Sequence, residues 1–228
     1  MAIDKENLQN KFEITGFLFV YFVLFTNAYL MKDSPIALIS AFCGITYTIL
    51  AGKGIPSCYL IGVVGSAFYA YLSFVNALWG NLILYAGYYV PMQILGFFQW
   101  SKHLKSDKKE IIKIRLSDKE RIGLVIFGSL LSLCTILCLI YFNDKSPVID
   151  GITTIFSIFG MYLTVRRAIE QWMVWIVVNG LSFIMWLQIA ISGEKVFSTV
   201  IMWGVYFILS VYFYYVWRKE LSPRGSND

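Results

Sequence analysis

The stretch Gly54–Ser101 reads GIPSCYLIGVVGSAFYAYLSFVNALWGNLILYAGYYVPMQILGFFQWS and holds 48 residues without an Asp, Glu, Lys or Arg. At about 20 residues per crossing, that run suffices for two passes through a bilayer. The whole chain agrees with it: of 228 residues, 58% are hydrophobic and 14% charged, with a mean hydropathy of +0.65. Soluble domains average about 45–50% and 25% on those counts. This composition excludes a soluble globular enzyme, a disordered chain, a collagen-like fibre and a nucleic-acid-binding domain, and leaves an all-α polytopic membrane protein. A lipid bilayer is therefore the expected surround, and nucleic acid is not an expected partner.

Apolar runs between charges and turn formers predict eight spans: Thr15–Met31, Pro35–Ala51, Ser57–Asn76, Asn81–Ser101, Ile122–Phe142, Val148–Val165, Gln171–Ile191 and Val196–Trp217. The first of these also suits a helix lying at the interface. With Lys102–Arg121 on the cytoplasmic side, only Lys32, Lys145 and Lys195 of the 19 Lys and Arg fall on the other, which places both termini inside. The polar start, Ala2–Glu13, followed by no small-residue cleavage site, argues against a removable signal peptide. The four cysteines show no CxxC pair and no neighbouring His, and they read as small apolar packing residues.

The expected organisation is an N-terminal region with an extra membrane or interfacial helix (1–34), a three-helix unit (35–101), a basic cytoplasmic connector (102–121), a linker helix (122–142), a second three-helix unit (148–217) and a polar tail (218–228). One linker span makes the two units parallel, a 3+1+3 repeat that places a binding site near the midplane between them. Weak internal matches accompany it: Gly44 with Gly160 and Ser66 with Ser182 at an offset of 116, and Tyr89 with Tyr206 and Trp100 with Trp217 at 117. The connector, with its alternating acids and bases, reads as solvated and in touch with anionic headgroups.

No Asp, Glu, Lys, Arg or His lies near the centre of a predicted span; Asp150, Glu170 and Glu194 fall at the ends. Proton pumps, voltage sensors and retinal proteins need such groups, so those functions are excluded, and no metal ligands or catalytic constellation suggest an enzyme or a cofactor. Neutral amides and aromatics are present instead. A buried amide without a partner costs a few kcal/mol, so one at lipid depth must face protein, water or ligand. Gln93 and Asn179 sit deepest. Trp172, Trp175 and Asn179 share one helix face at i, i+3 and i+7, a stacking platform for a flat polar or cationic ring. Trp172 equally suits an aromatic belt. Asn81, Tyr85, Tyr89 and Gln93 recur every four residues along one side of the fourth span, where Pro91 predicts a kink. Ordinary helix packing accounts for the tyrosines as well as a ligand does. Gly62, Gly65 and Ser66 allow close helix approach.

The run Trp79-Gly80-Asn81, then Tyr88-Tyr89-Val90-Pro91-Met92-Gln93-Ile94, Gly96-Phe97-Phe98-Gln99-Trp100, and later Arg166-Arg167, Glu170-Gln171-Trp172-x-x-Trp175 and Asn179 resembles the PnuC family of bacterial nicotinamide riboside transporters. The resemblance spans about Pro35 to Trp217. It implies a fold similar to the SWEET sugar transporters, a homotrimer in the inner membrane, no cofactor, and facilitated diffusion of the riboside made one-way by a cytoplasmic kinase. It also implies a substrate site formed by Asn81, Tyr85, Tyr89, Gln93, Trp172, Trp175 and Asn179. Indole faces and neutral amides suit a planar cation bearing a carboxamide and ribose hydroxyls. Thiamine, another cationic vitamin, would suit them too, and a non-transporting receptor is the alternative from a different class.

Overall fold

Backbone in hydrocarbon has no water to bond, so its N–H and C=O groups must pair within each segment, and helices result. The computed structural model describes residues 2–31, 35–75, 82–107, 109–143, 146–193 and 197–222. The helices are α1 (Ala2–Met31), α2 (Pro35–Gly52), α3 (Cys58–Val75), a π-helical segment (Ile83–Tyr89) running directly into α4 (Val90–Ser101), α5 (Asp118–Tyr141), α6 (Pro147–Val165), α7 (Glu170–Ile191) and α8 (Phe197–Glu220). Among the described residues, α1, α3, α5, α6, α7 and α8 are long and apolar enough to cross a membrane, and α2 carries a shorter apolar run, Leu38–Gly52. The π-helical segment and α4 supply the remaining pass. The chain is an all-α, multi-pass membrane protein.

Three boundaries move for local reasons. α1 begins well before Thr15, because Ala2–Glu13 holds no Gly or Pro to stop a helix and is rich in good helix formers. α5 begins at Asp118 rather than Ile122, because Ser117 and Glu120 form a capping box, each side chain accepting the other's backbone N–H. α8 continues past Trp217 to Glu220, with Arg218 and Lys219 against the negative end of its dipole. At Pro91 the irregularity takes a specific form: the Val90 N–H donates to the Tyr85 carbonyl, five residues back, so the turn before the proline is widened into a π-helix.

Rather than lying across the bundle at the interface, α1 runs antiparallel to α2. Glu13 lies 3.7 Å from Lys53, the Tyr21 hydroxyl 2.7 Å from Thr46 Oγ1, and the Phe25 ring 6.1 Å from Phe42. The remaining contacts are paired. α2 packs on α3 and α6 on α7; α3 on α4 and α7 on α8; across the centre, α4 meets α6 and α8 meets α2, while α5 packs chiefly on α6. Two indoles close the cross-contacts. Trp100 Nε1 donates to the Thr164 carbonyl at 2.8 Å, and Trp217 Nε1 to the Gly52 carbonyl at 2.6 Å. Such reciprocal contacts are those an internal repeat would make. Gly62 and Gly65 do permit close approach, Gly62 to Tyr47 and Gln93 and Gly65 to Cys43.

Two expectations fail. The connector is solvated along only part of its length: Ile111, Lys113 and Leu116 are buried, while residues such as Lys102, Lys109, Arg115 and Lys119 are exposed. Leu104 and Ile111 form an antiparallel bridge, Ile114 pairs with Ala168, the Ile111 N–H donates to the Gly54 carbonyl, and the Leu116 N–H donates to Glu170 Oε2. The alternation in Ile111-Ile112-Lys113 turns one face of an extended strap onto the end of the bundle. Lys113 lies over the Trp217 ring, 4.9 Å from its centroid, and pairs with Glu220; burial of the ammonium draws its pKa below the usual lysine value, against the pull of that carboxylate. Gly54, at φ +73°, makes the turn that receives the strap, and a side chain there would press on Ile111. The cysteines also divide: Cys43 and Cys58 are buried, whereas Cys134 and Cys138 are exposed on α5, whose outward face meets only α6 among its principal neighbours.

Candidate functional site

A cavity of about 410 Å³ lies between the two groups of helices, within the range of small-molecule sites. Tyr85, Tyr89, Gln93, Trp172, Trp175 and Asn179 all line it. Asn81 lies outside the described residues. The π-helical segment carries Tyr85 and Tyr89, whose rings meet edge-on at 4.9 Å, and Tyr69 of α3 lies 4.3 Å from Tyr85.

The amides are held in related ways. Gln93 on α4 donates through Nε2 to Ser66 Oγ on α3 at 3.0 Å, and Asn179 on α7 donates through Nδ2 to Ser210 Oγ on α8 at 2.8 Å. Each bond joins two neighbouring helices beside the cavity. Trp175 Nε1 donates to Thr164 Oγ1 at 3.2 Å, and its ring sits against Gly160, where a Cβ would lie 2.9 Å from the indole. Trp172 packs at 5.4 Å from Phe213 and 5.7 Å from Trp217 in the sealed end of the bundle, so it serves the core and the cavity together.

Several polar atoms on this wall have no protein partner. Gln93 Oε1, both side-chain polar atoms of Gln171, and Trp172 Nε1 are buried and unpaired. Gln171 is 1% exposed and Trp172 2%. Leaving such a group unmet costs about 1–3 kcal/mol, which sets Gln93, Gln171 and Trp172 apart from the paired residues around them.

Gln171 was absent from the residues expected here, although the signal existed: Gln171, Trp175 and Asn179 repeat at i, i+4 and i+8. Asp150 stands at a span end, as expected, in the first turn of α6, but the cavity extends along α6 from Thr164 as far as that residue. Trp186 and Trp203 also line the cavity and were read only as general aromatic content.

A multi-pass helical bundle with a polar, ring-lined cavity through much of its depth is the build of a membrane transporter rather than an enzyme. The chain belongs to the nicotinamide mononucleotide transporter family, whose model matches residues 34–219. Among its relatives, the nicotinamide riboside transporter PnuC of Neisseria mucosa is 33% identical over 192 residues, covering 82% of this chain and 73% of the relative. The protein of the same name from Haemophilus influenzae is 29% identical over 191 residues, covering 82% and 80%. A crystal structure of the vitamin B3 transporter PnuC superposes with a TM-score of 0.78 at 30% identity, covering 91% of both chains.

Proposed function

We infer that this chain takes nicotinamide riboside across the bacterial inner membrane by facilitated diffusion, with the basic end of the bundle and both termini in the cytoplasm. The units 35–101 and 148–217 act as parallel repeats that rock about the cavity, so that it opens to each side in turn. Phosphorylation in the cytoplasm then traps the product, and the chain assembles as a homotrimer; both points are carried over from the resemblance.

The observation that carries the reading is the cavity wall itself. Buried indoles suit a planar cation, and the unpaired atoms of Gln93, Gln171 and Trp172 supply both donors and acceptors for a carboxamide and hydroxyls. The family description raises a second substrate, the mononucleotide. No Lys, Arg or His lines the cavity among the described residues, so a phosphate would find no cation there.

Calorimetric competition on the purified protein among the riboside, the mononucleotide and thiamine decides between them. The riboside should bind best by at least about tenfold, a difference of about 1.4 kcal/mol. Tighter binding of the mononucleotide or thiamine would overturn the assignment. In loaded liposomes, collapse of the proton gradient should leave riboside equilibration intact; lost flux would mean proton coupling.

A further inference from the structure

Two turns at the basic end, one from each three-helix unit, have the same build. At the end of α2 the Gly54 N–H donates to the Ala51 carbonyl at 2.9 Å and the Ile55 N–H to the Leu50 carbonyl at 3.0 Å. At the end of α6 the Arg167 N–H donates to the Thr164 carbonyl at 2.9 Å and the Ala168 N–H to the Leu163 carbonyl at 3.0 Å. Gly54 and Arg167 hold the same left-handed position, at φ +73° and +65°, so each helix ends in a Schellman motif. The strap takes the carbonyl of that left-handed residue in both: the Ile111 N–H donates to Gly54 at 2.9 Å and the Ile114 N–H to Arg167 at 3.0 Å. Successive N–H groups of an extended chain point to opposite edges, so donors three residues apart face opposite ways. One strand therefore lies between equivalent turns of the two units.

Its two edges are unequal. On the second unit the Ile169 N–H also donates to the Ile114 carbonyl at 3.0 Å, the Arg167 guanidinium to the Ile112 carbonyl at 2.9 Å, and the Leu116 N–H to Glu170 Oε2 at 3.2 Å, while Lys113 pairs with Glu220 of α8. Among the described residues, the strap's backbone bond to the α2–α3 turn is that of Ile111 alone. The Leu104–Ile111 bridge and the bond from the Ile112 N–H to the His103 carbonyl fold the connector on itself and can travel with it. The Ile111 side chain, 0% exposed, joins the cluster of Cys58, Tyr59, Trp100 and Trp217.

We propose that the strap is the clasp of the inner gate: opening at the basic end parts the Ile111–Gly54 edge and draws Ile111 out of the cluster, while the Ile114 edge stays on the α6–α7 turn and the strap moves with the second unit. The inference rests on the transport reading above. Two units cannot separate at this end while one strand bonds both turns, and the edge with fewer bonds yields first.

The test uses the full chain in liposomes, with Cys43, Cys58, Cys134 and Cys138 replaced by Ala or Ser. A Cβ at Gly54 would lie 3.1 Å from Ile111 Cγ1, and Ile114 and Ala168 are bridge partners, so both pairs lie within reach of a disulfide. Oxidation of Gly54→Cys/Ile111→Cys should block riboside equilibration, and dithiothreitol should restore it. Oxidation of Ile114→Cys/Ala168→Cys, to the same extent by intact mass, should leave the rate intact. Rates before and after oxidation come from one preparation, so strain from a side chain at the left-handed Gly54 position shows in the reduced rate and not in the change. Undiminished transport through the oxidised Gly54→Cys/Ile111→Cys protein would overturn the clasp; a block by the other pair would mean that the strap leaves the second unit, overturning the assignment of edges. Hydrogen exchange on the wild type in nanodiscs needs no variant and no substrate. Resolved to single residues and corrected for intrinsic rates, the Ile111 N–H should exchange at least about tenfold faster than the Ile114 N–H, and equal or reversed rates would overturn the proposal. A cysteine-replaced parent and a wild type that both move no riboside would sink the riboside reading alone, because exchange reads the strap without a substrate.

Discussion

At the scale of single residues, the cavity wall sets stability against binding. Gln171 is buried with both polar atoms unmet, so its amide destabilises the unliganded protein. Gln171→Leu keeps most of the volume and removes the unmet groups. It should raise the melting temperature of the detergent-solubilised protein by about 2–4 °C while weakening riboside binding by about 1–2 kcal/mol. Calorimetry and a thermal scan on one preparation check both halves; a variant that binds as tightly as the wild type would mean the amide serves no ligand. Trp175 makes the complementary case. Its N–H is held by Thr164 and its ring by Gly160, so the indole is fixed before any ligand arrives. Trp175→Ala should cost about 1–3 kcal/mol of riboside affinity, whereas Trp175→Phe, which keeps a π-face, should recover part of it. Affinity unchanged in both would remove Trp175 from the site.

At the scale of elements, the α3–α4 contact decides where Gln93 stands. A Cβ at Gly62 would come within 2.7 Å of Tyr47 and 3.0 Å of Gln93 Nε2, so Gly62→Ala must shift the amide or part the helices. The expected result is a loss of about 1–3 kcal/mol in stability together with weakened riboside binding. Gly123→Ala on α5, where a Cβ meets nothing within 4 Å, should leave both intact and serves as the control. Equal behaviour of the two variants in melting and binding would contradict the packing account. The elements themselves were largely legible in sequence, because uncharged runs of bilayer length leave the backbone little choice but helix. The strap was misread because its charges outweighed the alternation of Ile111 and Lys113, and burial of a lysine depends on Trp217 and Glu220, more than a hundred residues away. Gln93, Trp175 and Asn179 could be picked out because polar or ring-bearing side chains at lipid depth demand partners. Asp150, Trp186 and Trp203 could not, since a residue near a helix end looks interfacial until the rotation of three helices shows that it faces a cavity.

For the whole molecule, closure of the basic end depends on two reciprocal indole bonds. Trp100 ties α4 to the end of α6 and Trp217 ties α8 to the end of α2, and Tyr59, Cys58 and Ile111 fill the space between them at 0% exposure. Opening to the cytoplasm, if the units rock as proposed, must break at least one bond and expose that cluster. Trp217→Phe keeps the ring but removes the donor, leaving the Gly52 carbonyl buried and unmet at a cost of about 1–3 kcal/mol to the closed form. A penalty of that size raises the open population by about five- to 150-fold. Cys58 reports it directly, since it is a free thiol with no exposure in the closed form. In a background with Cys43, Cys134 and Cys138 replaced by Ser or Ala, a water-soluble maleimide should label Cys58 at least about fivefold faster in Trp217→Phe than in the parent, and Trp100→Phe should act in the same direction. Labelling at the parent rate in both variants would show that the indole bonds do not hold this end shut, and that the rocking units hinge elsewhere.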